Sequence, residues 1–358
     1  MSVLRRATGP GRVNLIGDHT DYNDGLALPM AIDLGVSVEW EPADSDGDTL
    51  TVTSTAFEGR AELPVGKGAQ DDLACVEPRW ARLVAAMVSL VQPLSGGALR
   101  IDSTLPIGSG LASSAALSVA LVELFGAADS PWSADSPWSA DSPWSIAALC
   151  QEVEHRCGVP VGAMDPLVCA GGGRDHALFI DFAAMATAPV AIPYGADMVV
   201  VDSGQHRALR GAPYAERVEE CREAAAVIGP LGRAAPSDLA AVNDTRLRRR
   251  SRHVVTECER VRATVEALGS DDLDGAGALM TESHRSLAED FEVSTPAVDA
   301  LVDRLISTSG VLGARLTGAG FGGCVVAMCH PGALGAGTFG LPTWHVVASD
   351  GTVARRAR

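Results

Sequence analysis

Gly108-Ser109-Gly110-Leu111-Ala112-Ser113-Ser114 places two glycines and three hydroxyls where an apolar strand end gives way to small and apolar helix formers. Glycines let a backbone turn tightly and approach a ligand closely, because they carry no Cβ. The first N–H groups of the helix that follows have no partners inside it. They also lie at the positive end of its dipole, so the segment can cradle a phosphate. Ser113 and Ser114 add hydroxyls suited to phosphate oxygens or a hydrated magnesium ion. A plain loop whose serines cap a buried helix fits the same residues, and on this stretch alone both readings stand.

A second polar cluster, Asp18-His19-Thr20-Asp21-Tyr22-Asn23-Asp24-Gly25, lies between apolar runs at 13–16 and 26–32 that read as strands. Asp24-Gly25 is a strong hairpin signal. The turn needs only Asn-Asp-Gly, whereas the alternation of Asp18, His19, Thr20 and Asp21 suits hydrogen bonding to a polyol. Simple turn formation stays open beside it. Further along, a helical pattern over 146–156 carries Glu152 and Glu154, and Asp165 stands just before Pro166. By local pattern Asp165 is a helix N-cap with proline in the first turn. Trp80 opens the helical pattern over 78–91, where core packing and a place against an adenine ring are both open.

These residues need elements to hold them. Runs at 36–40, 50–53, 177–181 and 198–202 read as strands, and Pro189 and Pro193 mark a connection between the last two. Beyond it 214–228, 253–268, 274–289 and 296–308 read as helices and 312–316, 324–328 and 344–348 as strands. That order suggests helices layered on an antiparallel or mixed sheet. A chain of 358 residues suits two lobes, with the boundary near 190. Gly318-Ala319-Gly320-Phe321-Gly322-Gly323 matches G-x-G-x-x-G, but it opens a strand instead of a helix, which rejects a dinucleotide fingerprint. Walker A and protein-kinase loop motifs do not occur. Asp-Ser-Pro-Trp-Ser-Ala occurs twice over 129–140, and its first five residues recur at 141–145. The last copy fronts the 146–156 helix, with Ser142 as cap and Pro143 in the first turn. The earlier two read as a tandem expansion inserted at the surface.

The net charge of −17 argues against a broad nucleic-acid or anionic-membrane surface. The basic run over 246–252 reads as a solvated helix face. No apolar run approaches membrane-spanning length, and no apolar stretch follows Arg5 and Arg6 as it would in a signal peptide. Eight cysteines without a C-x-x-C pair read as reduced, mostly buried thiols. A cytoplasmic monomer is expected.

Together the stretches resemble the galactokinase branch of the small-molecule kinase superfamily that includes homoserine, mevalonate and phosphomevalonate kinases. GRVNLIGDHTDYN at 11–23 is similar to the galactokinase signature, PIGSGLASSAAL at 106–117 to the superfamily phosphate loop, and LTGAGFGGCVV at 316–326 to its C-terminal glycine loop. GAMD at 162–165, RSRHVVTE at 250–257 and ESHRSLAEDFEVS at 282–294 also look like galactokinase segments. The resemblance implies an α+β, two-lobed fold. Its N-terminal mixed-sheet lobe with helices would cover 1–190, and a ferredoxin-like lobe of helices on an antiparallel sheet would cover 191–358. It implies ATP and Mg2+ as cofactors, a small-molecule sugar as substrate, and neither nucleic acid nor membrane as partner.

Residue by residue, Asp165 resembles the family's catalytic aspartate facing the anomeric hydroxyl, and Arg12 the arginine beside it. Asp18, His19, Thr20, Asp21, Gly162 and Tyr214 match sugar-binding positions. Gly108, Ser109, Gly110, Leu111, Ala112, Ser113 and Ser114 would cradle the nucleotide phosphates, Trp80 would lie against the base, and Ser114 and Glu154 match the magnesium positions. The activity implied is ATP-dependent phosphorylation of α-D-galactose at its anomeric hydroxyl.

The departures bear on the substrate. Asp18 stands where the family usually has glutamate near the sugar's exocyclic carbon, which withdraws the carboxylate by about 1.5 Å. Ala112 replaces a frequent serine, Pro166 the usual glutamine, and the segment between Glu154 and Asp165 is one residue short. Alternatives are therefore a kinase for L-arabinose, galacturonate or N-acetylgalactosamine, or a non-catalytic sugar and ATP sensor. Sensors of that type have a shortened or altered phosphate loop; here the loop keeps its length, and Arg12 and Asp165 are both present.

Overall fold

The computed structural model describes residues 4–43, 47–66, 72–91, 95–106, 108–126, 142–159, 161–205 and 212–353. The duplicated hexapeptides over 129–140 lie outside them. Strands β1 (Arg5–Asn14), β3 (Pro29–Pro42), β4 (Thr49–Ser54), β5 (Arg60–Pro64) and β6 (Gly97–Ser103) form a sheet in the order β1-β3-β6-β4-β5. Every pair in it is antiparallel except β4 with β6. Helices α1 (Arg82–Val91), α2 (Ser113–Gly126), α3 (Pro143–Arg156) and α4 (Met164–Gly171) belong to the same half, with α2 lying on β1. Gly9 makes that close approach possible: a Cβ there would come within 2.0 Å of the Ala116 carbonyl oxygen.

A small antiparallel sheet follows, β2 (Leu26–Ala27), β7 (His176–Asp181) and β8 (Ala186–Ala191). The second large sheet is wholly antiparallel. It runs β10 (Val311–Leu316), β11 (Cys324–Cys329), β9 (Asp197–Asp202), β12 (Thr343–Val346). Around it stand α5 (Ala212–Ile228), α6 (Thr245–Gly269), α7 (Leu273–Glu289) and α8 (Pro296–Ile306). Its central strands are apolar on both faces because both faces are covered. Met198, Val200, Cys324, Val326 and Met328 join the main core with β1, β3 and α2. Their neighbours Val199, Val201, Val325, Ala327 and Cys329 join a second core with residues of α5 and α8.

Several elements differ from the sequence expectation. The runs at 29–32 and 36–40 are one strand, β3, because β1 pairs along its length and absorbs the irregularity at Gly11 as a register shift. The stretch around Pro189 is not a bare connection but edge strand β8, where a missing N–H breaks no ladder bond on the open side. The basic run belongs to α6 and is not wholly solvated. Arg250 is buried and paired with Glu220 at 2.6 Å and Glu292 at 2.5 Å. Charge runs read as surface because desolvation is costly; here acidic partners offset that cost. Ser142 and Pro143 do cap α3 as expected, and all eight cysteines are free, six of them buried. Near the C-terminus the chain returns to the first half: Ser349 N–H donates to the Ala31 carbonyl and Gly351 N–H to that of Gly172.

Candidate active site

Arg12, near the end of β1 and 4% exposed, ties two parts of the site together. Its Nε donates to Asp165 Oδ1 at 2.8 Å and its Nη2 to Oδ2 at 2.6 Å. Its Nη1 donates to the Gly110 carbonyl at 2.5 Å. A planar guanidinium with five fixed donors is the group suited to such a bridge. Asp165 is not the N-cap that its local pattern suggests. It lies inside the first turn of α4, after Ala163 in the cap position, and its carboxylate pairs with Arg12 while a third of the side chain stays open.

The glycine-serine loop takes left-handed backbone at Gly108 (φ 71°), Gly110 (φ 77°) and Ala112 (φ 63°) before α2 begins at Ser113. Ser113 and Ser114 are exposed at the helix start, whereas Leu111 and Ala112 turn into the core. Ser109 does not present its hydroxyl outward: it is 3% exposed and donates to the Pro106 carbonyl at 2.8 Å. Two serines and the backbone are what this loop offers a ligand.

Asp21 lies directly on Gly162, where an added Cβ would come 1.5 Å from Asp21 Oδ2. Burial first, and the Asp165 charge second, push the half-buried Asp21 carboxyl up to about 7. Tyr214, in the first turn of α5, has its hydroxyl held well above the ordinary range by burial, then by the charges of Asp21 and Asp165. Asp21, Asp165 and Tyr214 therefore share one electrostatic neighbourhood. His19 completes it, with its ring 5.9 Å from that of Tyr214, 4.6 Å from that of Phe291, and its Nδ1 2.9 Å from Tyr22 Oη.

Two hairpin residues turn inward instead. Thr20 is fully buried, and its hydroxyl is directed at the Gly17 and Leu26 carbonyls. Asp18, 2% exposed, pairs with Arg315 on β10. Burial pushes its carboxyl up, and Arg315 pulls it back. Around this pair sit groups that sequence reasoning missed. His253 Nε2 donates to the Asp18 carbonyl at 3.1 Å, so its Nδ1 accepts from Ser286. Glu257 accepts from the Gly17 N–H at 2.9 Å and from Ser283. Burial raises the Glu257 carboxyl, but Arg260, His253 and Arg315 together outweigh it and bring it to about 2. The available signal was a polar pair at i, i+4 on a buried helix face, and a lone arginine inside an apolar strand.

The remaining candidates lie on neighbouring elements. Glu154 is buried on α3, which packs against α2. Trp80 donates its indole N–H to the Glu58 carbonyl at 3.1 Å, and one face stacks on Phe57 with planes 14° apart. Among the described residues no group of three His, Cys, Asp or Glu could cage a metal ion. A hydroxyl on Ser114 and one carboxylate on Glu154 still suit a magnesium ion that takes its other ligands from phosphate oxygens and water.

Fold and site define a GHMP kinase: the model of the GHMP kinases N terminal domain matches residues 81–173 and that of the GHMP kinases C terminal region matches 264–336. The galactokinase galactose-binding signature matches residues 5–42. The chain is 37% identical over 344 residues to a galactokinase of Chloroflexus aggregans, covering 90% of this chain and 83% of that one. It is also 37% identical over 338 residues to a galactokinase of Homo sapiens, covering 91% and 84%. A solved structure of Lactococcus lactis galactokinase complexed with galactose superposes with a TM-score of 0.82 at 28% identity, covering 97% of this chain and 94% of that one. The chain belongs to the galactokinase family.

Proposed function

We propose that this chain is an ATP-dependent galactokinase, transferring the terminal phosphoryl of ATP to the anomeric hydroxyl of α-D-galactose and releasing galactose 1-phosphate and ADP. The observation that carries the proposal is Arg12, which holds the Asp165 carboxylate and the Gly110 carbonyl at once and so joins an acid to a phosphate-cradling loop. Asp165 accepts the anomeric hydroxyl's hydrogen bond and takes its proton as the oxygen attacks. Arg12 keeps that carboxylate oriented, and its positive charge stabilises the charge that builds up during transfer. Asp21, His19 and Tyr214 orient the sugar, with Gly162 leaving room for Asp21. Ser113, Ser114 and the backbone from Gly108 to Ala112 hold the phosphates, and Trp80 lies against the base. Ser114 and Glu154 would hold magnesium, which when bound neutralises phosphate charge.

Residues 1–190 and 191–358 are taken as the two working lobes. A cytoplasmic location agrees with eight free cysteines, and no helix among the described residues is long and apolar enough to cross a membrane. A monomer without nucleic-acid partners completes the proposal. The test is ADP release with Mg-ATP over galactose, L-arabinose, galacturonate, N-acetylgalactosamine and glucose. Galactose should give the highest kcat/KM; a higher value for another sugar reassigns the substrate, and ADP release independent of any sugar removes the kinase assignment.

A further inference from the structure

The hairpin that carries His19 and Asp21 is fastened from below, by residues remote in sequence. Arg315, with no exposed surface, donates from Nη2 to Asp18, while its Nε and Nη1 have no hydrogen-bond partner among the described residues. Asp18 is therefore the one carboxylate hydrogen-bonded to the guanidinium among the described residues, with the Glu257 charge close enough to add its attraction. The backbone on either side is fixed as well, by Glu257 at the Gly17 N–H and by His253 at the Asp18 carbonyl. Both Asp18 and Arg315 are sealed from solvent, whereas Asp165 and Asp21 keep an open face. The short aspartate side chain ends at Arg315, inside the protein.

Resting on the galactokinase reading, we propose that Asp18 is a positioning residue acting through Arg315, and not a ligand of the sugar's C6 substituent. The pair bolts the sugar hairpin to β10, so loss of either member strands a buried charge and shifts His19 and Asp21. A shift of that kind weakens every sugar alike, whatever it carries at C6.

The test measures dissociation constants of D-galactose and 6-deoxy-D-galactose by calorimetry for the wild-type protein, Asp18→Asn, Arg315→Met and the double variant. Affinity for a non-hydrolysable ATP analogue serves as a control on folding. Each single change should weaken both sugars by a common factor, roughly tenfold to a hundredfold, with nucleotide affinity unchanged. The double variant should bind sugar more tightly than Arg315→Met alone, because no stranded charge remains. Galactose weakened at least fivefold more than its 6-deoxy analogue in Asp18→Asn would overturn the proposal, and so would multiplicative effects in the double variant. If Arg315→Met does not fold, Asp18→Asn decides alone, since its amide oxygen still accepts from Arg315. If only galactose binds, the coupling between the two substitutions decides. A wild-type protein that binds neither sugar refutes the functional reading itself, before any variant is made.

Discussion

A guanidinium held between a carboxylate and a loop carbonyl does two things at the scale of single residues. It aims the Asp165 carboxylate, and it fixes the distance from that acid to whatever the loop holds. Asp21 works under a different constraint, since burial and the Asp165 charge hold it near 7. Below that pH the free protein carries a neutral carboxyl; above it, a carboxylate able to accept hydrogen bonds from sugar hydroxyls. Sugar affinity should therefore climb as pH rises through about 7 and then level off, and Asp21→Asn should flatten the profile. A wild-type profile without that rise would remove Asp21 from sugar binding. Arg12, Gly162 and the role of Asp165 could be found from the sequence only through the resemblance, whereas Asp21 stood out in the polar hairpin. Local pattern made Asp165 a cap, because the carboxylate's partner lies 153 residues away.

At the scale of elements, the site depends on how close two segments come. Gly162 lets the turn before α4 rest on Asp21, and Gly162→Ala would drive a methyl into that carboxylate. A displacement of that order should lower kcat/KM for the sugar by about a hundredfold with folding intact; an unchanged value would show that the contact does not position Asp21. Helix α6 fastens the hairpin through His253, whose imidazole burial holds down at about 4. In the unfolded chain the same group titrates near its ordinary value of about 6.5, so the unfolded state takes the proton first as pH falls. The contribution is complete above pH 6.5 and is lost toward pH 4, on the order of 3 kcal/mol. Comparing urea midpoints of wild type and His253→Gln over that window should show the difference between them shrinking with acidity. A constant difference would mean that His253 is not the titrating group. Periodicity located α1, α2, α3 and α5 well, because each has a clear apolar pattern or cap. It missed β5, β6 and β8, and it took the first two turns of α6 for a solvated face, where pairing partners and buried ion pairs decide the structure.

At the scale of the whole molecule, one antiparallel sheet separates two cores, and β10 carries Arg315 across to the hairpin of the other half. The two-sided burial of β9 and β11 was legible as unbroken apolar runs, whereas the return of residues 349–351 to Ala31 and Gly172 was not, since isolated backbone bonds leave no pattern. The repeat over 129–140 makes a separate prediction. Because α3 is capped by Ser142 and Pro143 of the third copy, deleting 129–140 should leave kcat/KM and the thermal midpoint nearly unchanged. Failure to fold would make the two extra copies structural. The most direct measurement is phosphorus NMR of galactose and Mg-ATP incubated with wild type and with Asp165→Asn. The expected product is galactose 1-phosphate, equal in amount to ADP, formed roughly a hundredfold to ten-thousandfold more slowly by the variant. Phosphate at another sugar oxygen, or equal rates from both proteins, would contradict a single centre built from Arg12, Asp165 and the glycine-serine loop.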